Sequence, residues 1–313
     1  MSRRTKISLF GLLVLVLGLT AFYVARNPER VTLGATARAA AGPGARFVRL
    51  SQGTTQYELS GPDSARTVVL CSGATVPYYL WDPTRDALAA NGFRVLRYNY
   101  YGRGFSDRPN LRYDLATYDR QLGELLDSLH INGPVDIGGV SMGGIIAASF
   151  ADRHPGRVRS LILVDPAFGG RQSIPFPLGV PGVGEYVMTT VASRQMAPGQ
   201  LTDFLHPEQH PDWVSRYRVQ MQYRGFLRAM LATYRGDVGK RPAASFTTLA
   251  HSQMPILLIW GKEDHTVPYM FSDTVRAAFP RAEFHPIDSA AHLPQIEQAP
   301  TVDSILVRFL HAH

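Results

Sequence analysis

Cysteine is nearly absent: the 313 residues include one, Cys71. A single thiol cannot close an intramolecular bridge, so packing must hold the fold, and neither an oxidising nor a reducing compartment is implied. Cys71 ends the apolar run Val68-Val69-Leu70-Cys71, where a small buried side chain fits, and no base motif accompanies it as a nucleophile would require. Charge is sparse too, at 18% of residues, with 32 Lys and Arg against 25 Asp and Glu, an excess of seven. Arg3, Arg4, Lys6, Arg26, Arg30 and Arg38 crowd the N-terminus, and the other arginines are scattered with no aromatic-interleaved stripe. That distribution argues against a nucleic-acid partner. G-K-[ST] does not occur, which excludes a P-loop. H-E-x-x-H is missing as well. In the nearest arrangement, His206-Pro207-Glu208-Gln209-His210, the proline disturbs the helix that would put both histidines on one face, so no metal is expected.

Long apolar runs are scarce except at the start, where Ile7 to Ala25 is uncharged for 19 residues. As a helix rising ~1.5 Å per residue it reaches about 28 Å, enough to cross a hydrocarbon core of ~30 Å. Basic residues before it predict a cytoplasmic N-terminus with everything after Ala25 on the far side. A cleaved signal peptide is the alternative, giving a secreted or periplasmic protein. Its apolar core would normally be shorter, and the A-x-A candidates, Ala35-Thr36-Ala37 and Ala37-Arg38-Ala39, lie well downstream. Residues 1–25 are thus read as an anchor or signal segment. Residues 26–45, rich in Ala, Gly and Pro, are read as a flexible tether.

Beyond residue 45, strand-like and helix-like segments alternate. Strands are predicted at 46–50, 54–60, 67–72, 93–98, 135–140, 158–164, 255–260 and 283–287. Helices are predicted at 84–91, 117–130, 142–154, 271–279 and 297–311; the second carries Leu122, Leu125, Leu126 and Leu129 at helical spacing. Early strands followed by repeated βα units imply an α/β protein with a mostly parallel central sheet and helices on both faces. The rhythm breaks between Pro166 and Met254, which offers helical stretches at 184–194 and 211–234 but no buried strand. Such a length is too great for a plain loop, so 166–254 is read as an inserted helical cap on a core of 46–165 and 255–313.

Gly139-Val140-Ser141-Met142-Gly143 joins one predicted strand to a small-residue helix, the context in which G-x-S-x-G becomes a nucleophile elbow. The residues two before and two after the serine face each other across the tight turn, and glycine fills both places. A serine hydroxyl needs a base to take its proton, and the base needs a carboxylate to orient it. Gly261-Lys262-Glu263-Asp264-His265-Thr266-Val267-Pro268 and Ser289-Ala290-Ala291-His292-Leu293-Pro294 supply both, each in a loop at the carboxyl end of a strand.

These motifs, in the order Ser, Asp, His, resemble the α/β-hydrolase superfamily over residues 46–312, in particular its cap-bearing serine hydrolases. The resemblance implies Ser141 as nucleophile, Asp264 as triad acid and His292 as base, with the backbone N–H groups of Ala74 and Met142 as the oxyanion hole and no cofactor. The chain departs from the family at Ser72, where His-Gly is usual, and at Asn99. Asn99 opens Asn99-Tyr100-Tyr101-Gly102-Arg103-Gly104-Phe105-Ser106, where aspartate is usual. The glycines of that loop do not make a dinucleotide site, since Asp107 stands where the third glycine would be, and the loop is assigned to the scaffold.

Asp165, after the 158–164 strand, is an alternative acid, and His285 and His265 are alternative histidines, less well placed. Glu263, beside Asp264, should point elsewhere. The expected function is a membrane-tethered serine hydrolase, carboxylesterase- or lipase-like, acting on apolar esters of modest size. The alternatives are a carbon–carbon hydrolase of ring-fission products using the same triad, a cofactor-free lyase or peroxidase, and a non-catalytic ligand-binding member of the fold.

Overall fold

The structure is a computed structural model, which describes residues 3–169 and 174–313; residues 170–173, within the expected cap, lie outside the described residues. Eight strands form one sheet: β1 (Arg46–Leu50), β2 (Gly53–Ser60), β3 (Thr67–Cys71), β4 (Arg94–Tyr98), β5 (Val135–Val140), β6 (Val158–Val164), β7 (Ile256–Gly261) and β8 (Glu283–Ile287). Their spatial order is β1-β2-β4-β3-β5-β6-β7-β8. β2 pairs antiparallel with β1 and β4, and every later pairing is parallel. β3, β5 and β7 are buried along their whole length, as strands of a parallel sheet covered on both faces are.

Alternate residues of each strand feed two cores. Val69, Cys71, Leu258 and Trp260 pack on one face with helices Leu115–Ser128 and Met142–Arg153. Val68, Leu70, Leu257 and Ile259 pack on the other with helices Asp82–Ala90 and Ala299–Ala312. The period of two along a strand divides them. Helix Leu115–Ser128 buries Leu122, Leu125 and Leu126, and Asp114 caps it by accepting from the Thr117 N–H at 2.9 Å.

Between β6 and β7 the described residues contain no strand of the sheet. They fold as short helices. The stretch read as one helix over 211–234 is two, Trp213–Met221 and Phe226–Arg235, parted at Gly225, whose φ of 89° is in the left-handed region that glycine tolerates. Tyr217, Phe226 and Met230 are buried in the same cluster as Val68 and Leu257 of the sheet, and Trp213 meets Tyr79 of the main domain edge-on at 5.2 Å.

The N-terminal helix runs from Arg3 to Arg26, and Ile7–Arg26 is long and apolar enough to cross a membrane. Its apolar side chains are exposed over most of its length. Near its end Tyr23 lies 6.0 Å from the ring of Tyr186 in the insertion, and the Tyr186 hydroxyl donates to the Leu19 carbonyl at 3.3 Å. The following stretch, read from composition as a flexible tether, makes specific contacts. The N–H groups of Arg30 and Val31 donate to the Gln222 carbonyl, the Arg224 N–H donates to the Val31 carbonyl, and Glu29 accepts from the Leu227 N–H at 2.6 Å. Arg38 pairs with Asp107. Composition could not reveal these bonds, because their partners lie far along the chain and most are backbone groups.

Candidate active site

Ser141 stands between β5 and helix Met142–Arg153 with φ 55° and ψ −122°, a backbone conformation that L-residues rarely adopt. Close packing makes the turn possible. A Cβ at Gly139 would lie 2.1 Å from the Gly143 carbonyl oxygen, and one at Gly143 would lie 2.4 Å from the Ser72 carbonyl oxygen. The Ser141 N–H donates to the Val164 carbonyl at 3.0 Å, and its carbonyl accepts from Gly144 and Ala167, which ties the turn to the end of β6.

Opposite Ser141 runs the loop after β3, close enough that a Cβ at Gly73 would sit 3.7 Å from the serine Cβ. Its carbonyls are taken by donors from the core: Cys71 by Trp81 Nε1 at 3.1 Å, Ser72 by the Tyr100 hydroxyl at 2.9 Å and Ala74 by Arg103 Nε at 2.6 Å. The Ala74 N–H itself has no acceptor among the described residues. The Met142 N–H is likewise free, since the first N–H groups of a helix have no partner within it. The two departures from the family pattern have different consequences. Asn99 accepts from the Tyr78 N–H at 2.8 Å and donates through Nδ2 to Gln56 Oε1 at 2.6 Å, a donation that aspartate could not make. Ser72 is buried, and its hydroxyl has no partner among the described residues.

The loops after β7 and β8 interlock as tightly as the elbow does. A Cβ at Gly261 would fall 2.0 Å from the Ala291 carbonyl oxygen. His292 Nδ1 donates to Asp264 Oδ2 at 2.7 Å, and both side chains are buried. The other carboxylate oxygen, Oδ1, accepts from the N–H groups of Thr266 and Val267 at 2.8 and 2.9 Å, which fixes the carboxylate plane. Burial alone would lower the pKa of His292. The hydrogen bond and charge of Asp264, with the charges of Asp203 and Glu297, outweigh that and raise it above the ordinary histidine value.

Asp165 lies in the same cluster, at φ 42° in the turn after β6, with Oδ1 accepting from the Gly261 N–H at 2.9 Å. Burial, and then the charge of Asp264, push its carboxyl well above the usual range. Two carboxylates this close do not both ionise readily, so ionisation of Asp165 is disfavoured, and it is Asp264 that bonds the imidazole. Asp165, Asp264 and His292 are also the group whose ligand atoms converge within 4.8 Å. The peptide N–H bonds to Asp264 and the histidine bond already use that carboxylate, so the geometry suits a hydrogen-bonded pair.

The remaining sequence candidates lie elsewhere. His285 pairs with Glu283 at 2.6 Å on β8, and His265 is exposed. Glu263 accepts from the Ala290 N–H, away from the imidazole. His206 faces Glu208 at 3.3 Å while His210 stacks on Phe204, so the two histidines do not converge. The Cys71 thiol is fully buried, which pushes its pKa up to about 12 and leaves it unreactive.

Ser141, Met142, Ala74 and His292 all line one cavity of about 560 Å³. Its far wall comes from the insertion, and the residues that dock it there carry no motif. The Asp203 carbonyl accepts from the His292 N–H at 3.0 Å, and its carboxylate accepts from the Thr266 hydroxyl at 2.7 Å. Gln200 accepts from the Thr75 hydroxyl, and Gln220 donates to the Thr75 carbonyl while accepting from the Gly104 N–H. Glu297 accepts from both Leu205 and Ala291 N–H groups, linking the insertion to the His292 loop.

This chain belongs to the α/β hydrolase fold family, whose sequence profile matches residues 66–299. It is 30% identical over 286 residues to a 2-hydroxy-6-oxononadienedioate/2-hydroxy-6-oxononatrienedioate hydrolase from Paraburkholderia xenovorans, covering 85% of this chain and 94% of that one. Among solved structures, a hydrolase from Pseudomonas aeruginosa superposes with a TM-score of 0.72 at 24% identity, over 86% of this chain and 99% of that one. A membrane phospholipase A superposes with a TM-score of 0.70 at 22% identity, over 99% of both chains.

Proposed function

We propose that the protein is a membrane-anchored serine hydrolase that cleaves carboxylic esters of apolar, modest-size substrates. The carrying observation is that Ser141, on its positive-φ elbow, shares a cavity with His292, whose Nδ1 is already committed to Asp264. That bond leaves Nε2 as the base. Ser141 Oγ attacks the carbonyl carbon as His292 takes its proton, and Asp264 stabilises the imidazolium. The N–H groups of Ala74 and Met142 hold the oxyanion. His292 then protonates the leaving alcohol, and a water activated by the same imidazole releases the acid from Ser141. The helical insertion acts as the cap that excludes water and selects the acyl group.

Lining chemistry supports a neutral acyl substrate. Ala74, Val76, Leu80, Val140, Ala167, Val238 and Phe271 supply apolar walls, and the lining cation is Lys240, which is exposed at the rim. The superposition with the membrane phospholipase A takes in the N-terminal helix, which supports an uncleaved anchor with the catalytic domain outside the cytoplasm. The second reading, a carbon–carbon hydrolase, is favoured by the 30% identical relative, whose name gives two unsaturated oxo-dicarboxylates as its substrates. A single rim lysine is a poor match for two carboxylates. The test is a p-nitrophenyl ester series from short to long acyl chains, run beside a ring-fission dienone on the parent and on Ser141→Ala. Ester turnover lost in the alanine variant supports the proposal. Turnover of the dienone alone transfers the assignment to the second reading, and activity that survives the substitution rejects the mechanism.

A further inference from the structure

Arg103, in the loop assigned to the scaffold, is a buried cation with no counter-ion. It is 1% exposed. Nε donates to the Ala74 carbonyl at 2.6 Å, Nη2 donates to the Thr233 hydroxyl at 2.8 Å, and the buried Nη1 has no partner, so among the described residues no carboxylate pairs with it. Arg97, also buried, is treated differently. It is bonded to Glu58 at 2.9 Å and Asp82 at 2.5 Å. A guanidinium removed from water without an anionic partner is strongly unfavourable, and the cost normally excludes such an arrangement.

Its position supplies the reason. Ala74, whose carbonyl Arg103 holds, also presents the free N–H proposed for the oxyanion hole. Thr233, on helix Phe226–Arg235 of the insertion, lines the same cavity as Ser141. The Thr233 hydroxyl is fixed in turn by donating to the Ala229 carbonyl at 2.9 Å. A Cβ at Gly102 would fall 2.5 Å from the Ala229 Cβ, so the Gly102-Arg103-Gly104 turn is pressed against that helix.

We propose that Arg103 is an electrostatic positioning residue for acyl transfer: its uncompensated charge lies behind the oxyanion loop and meets its counter-charge when the tetrahedral oxyanion forms. It touches no reacting atom. It holds the 74–75 peptide, the unit next to the one that carries the Ala74 N–H, and supplies a fixed positive field, in a low-dielectric site, where negative charge develops. The inference rests on the serine-hydrolase reading above.

The experiment uses the full-length protein in detergent with p-nitrophenyl butyrate, comparing Arg103→Gln, which keeps a donor and loses the charge, with Arg103→Lys, which keeps the charge. Thr233→Val keeps the arginine and removes one acceptor. For Arg103→Gln, kcat is expected to fall about 30–100-fold with KM within about twofold, and an alkyl boronic acid, which forms a tetrahedral adduct on the serine, should weaken by a similar factor. The thermal midpoint should hold or rise, because an unpaired buried charge has been removed. Arg103→Lys should stay within about tenfold of the parent kcat, and Thr233→Val within about threefold. A merely structural role would instead lower the thermal midpoint of the glutamine variant and leave the boronate affinity of its folded fraction intact. A glutamine variant with parental kcat, or one equal to the lysine variant, overturns the inference. If neither Arg103 variant folds, a Thr233→Val kcat loss beyond about tenfold assigns the effect to hydrogen-bond geometry and overturns it too. Ser141→Ala separates the two readings. Turnover that persists there rejects the hydrolase mechanism and this inference with it, whereas turnover that depends on Ser141 but not on charge at 103 rejects the inference alone.

Discussion

The sheet edge and the helical insertion face each other across one cavity, but different forces hold them. On the sheet side, shape decides: Gly139, Gly143 and Gly261 each sit where any side chain would run into backbone at 2.0–2.4 Å. On the insertion side, polar links decide, with Gln200 and Gln220 bonded to the loop that carries Ala74, Asp203 to the loop that carries His292, and Thr233 to Arg103 in the loop after β4. A sterically defined site tolerates almost no substitution. A polar seam tolerates many, at a graded cost, and can open and close without unfolding the sheet.

The comparison breaks most completely at the side chains proposed to react. Replacing Ser141 or His292 by alanine is expected to lower kcat on p-nitrophenyl butyrate by at least about 10⁴-fold, and the two changes together should cost little more than either alone, because they act as a unit. Next in size are the steric positions. Gly143→Ala meets carbonyl oxygen at 2.4 Å and should destabilise the protein by roughly 4 kcal/mol or more in denaturant titrations. Gly133→Ala, with nothing within 4 Å, should change stability by less than about 0.5 kcal/mol. Equal effects at the two glycines would remove steric exclusion as the cause.

Across the cavity, Gln220→Ala leaves the Gly104 N–H and the Thr75 carbonyl unpaired and should cost about 1–3 kcal/mol, with protease cleavage within 174–254 accelerating before global unfolding does. If cleavage instead tracked global unfolding, the seam would not be a separate unit. Acid pH sharpens the sheet side. Because Asp264 and its neighbours raise the pKa of His292, the neutral base is lost earlier on acidification, and the acid limb of kcat/KM should lie above the ~6.5 of an unperturbed histidine. A limb below that value would mean that desolvation dominates.

The smallest effect is expected at Asp165. Its native pKa is raised, so as pH climbs from about 4 the unfolded chain ionises first and gains stability relative to the fold. That contribution to native stability is present at acid pH and is lost as pH rises through the native value. Asp165→Asn has no proton to lose and keeps an acceptor for the Gly261 N–H, so its loss of thermal midpoint between pH 5 and 8 should be smaller than the parent's. A steeper loss in the variant would show that Asp165 is ionised in the fold.

Much of the sheet side was legible along the chain because steric demands restrict residue type locally. Four strands, 46–50, 135–140, 158–164 and 283–287, have the residues read from pattern, and Gly-x-Ser-x-Gly marks a turn that glycine alone can make. The helix read over 211–234 failed as one unit because Gly225 and the turn before it interrupt a continuous apolar pattern. The contacts of residues 27–45 stayed hidden, since an Ala-, Gly- and Pro-rich composition describes an unbound chain and says nothing of the Gln222 carbonyl that receives it.

The amino-acid order by itself determined the parallel sheet, the strained serine turn and the succession Ser141, Asp264, His292, because each depends on period, size or chemistry within a few residues. Tertiary structure alone decided that His292 bonds to Asp264 while burial raises the pKa of Asp165, and that Arg103 lies behind Ala74 with no carboxylate partner among the described residues. It also decided that an insertion without a motif closes the cavity. Those outcomes turn on burial and on distances between segments far apart in the chain, and desolvation and charge pairing exist only once the segments have met.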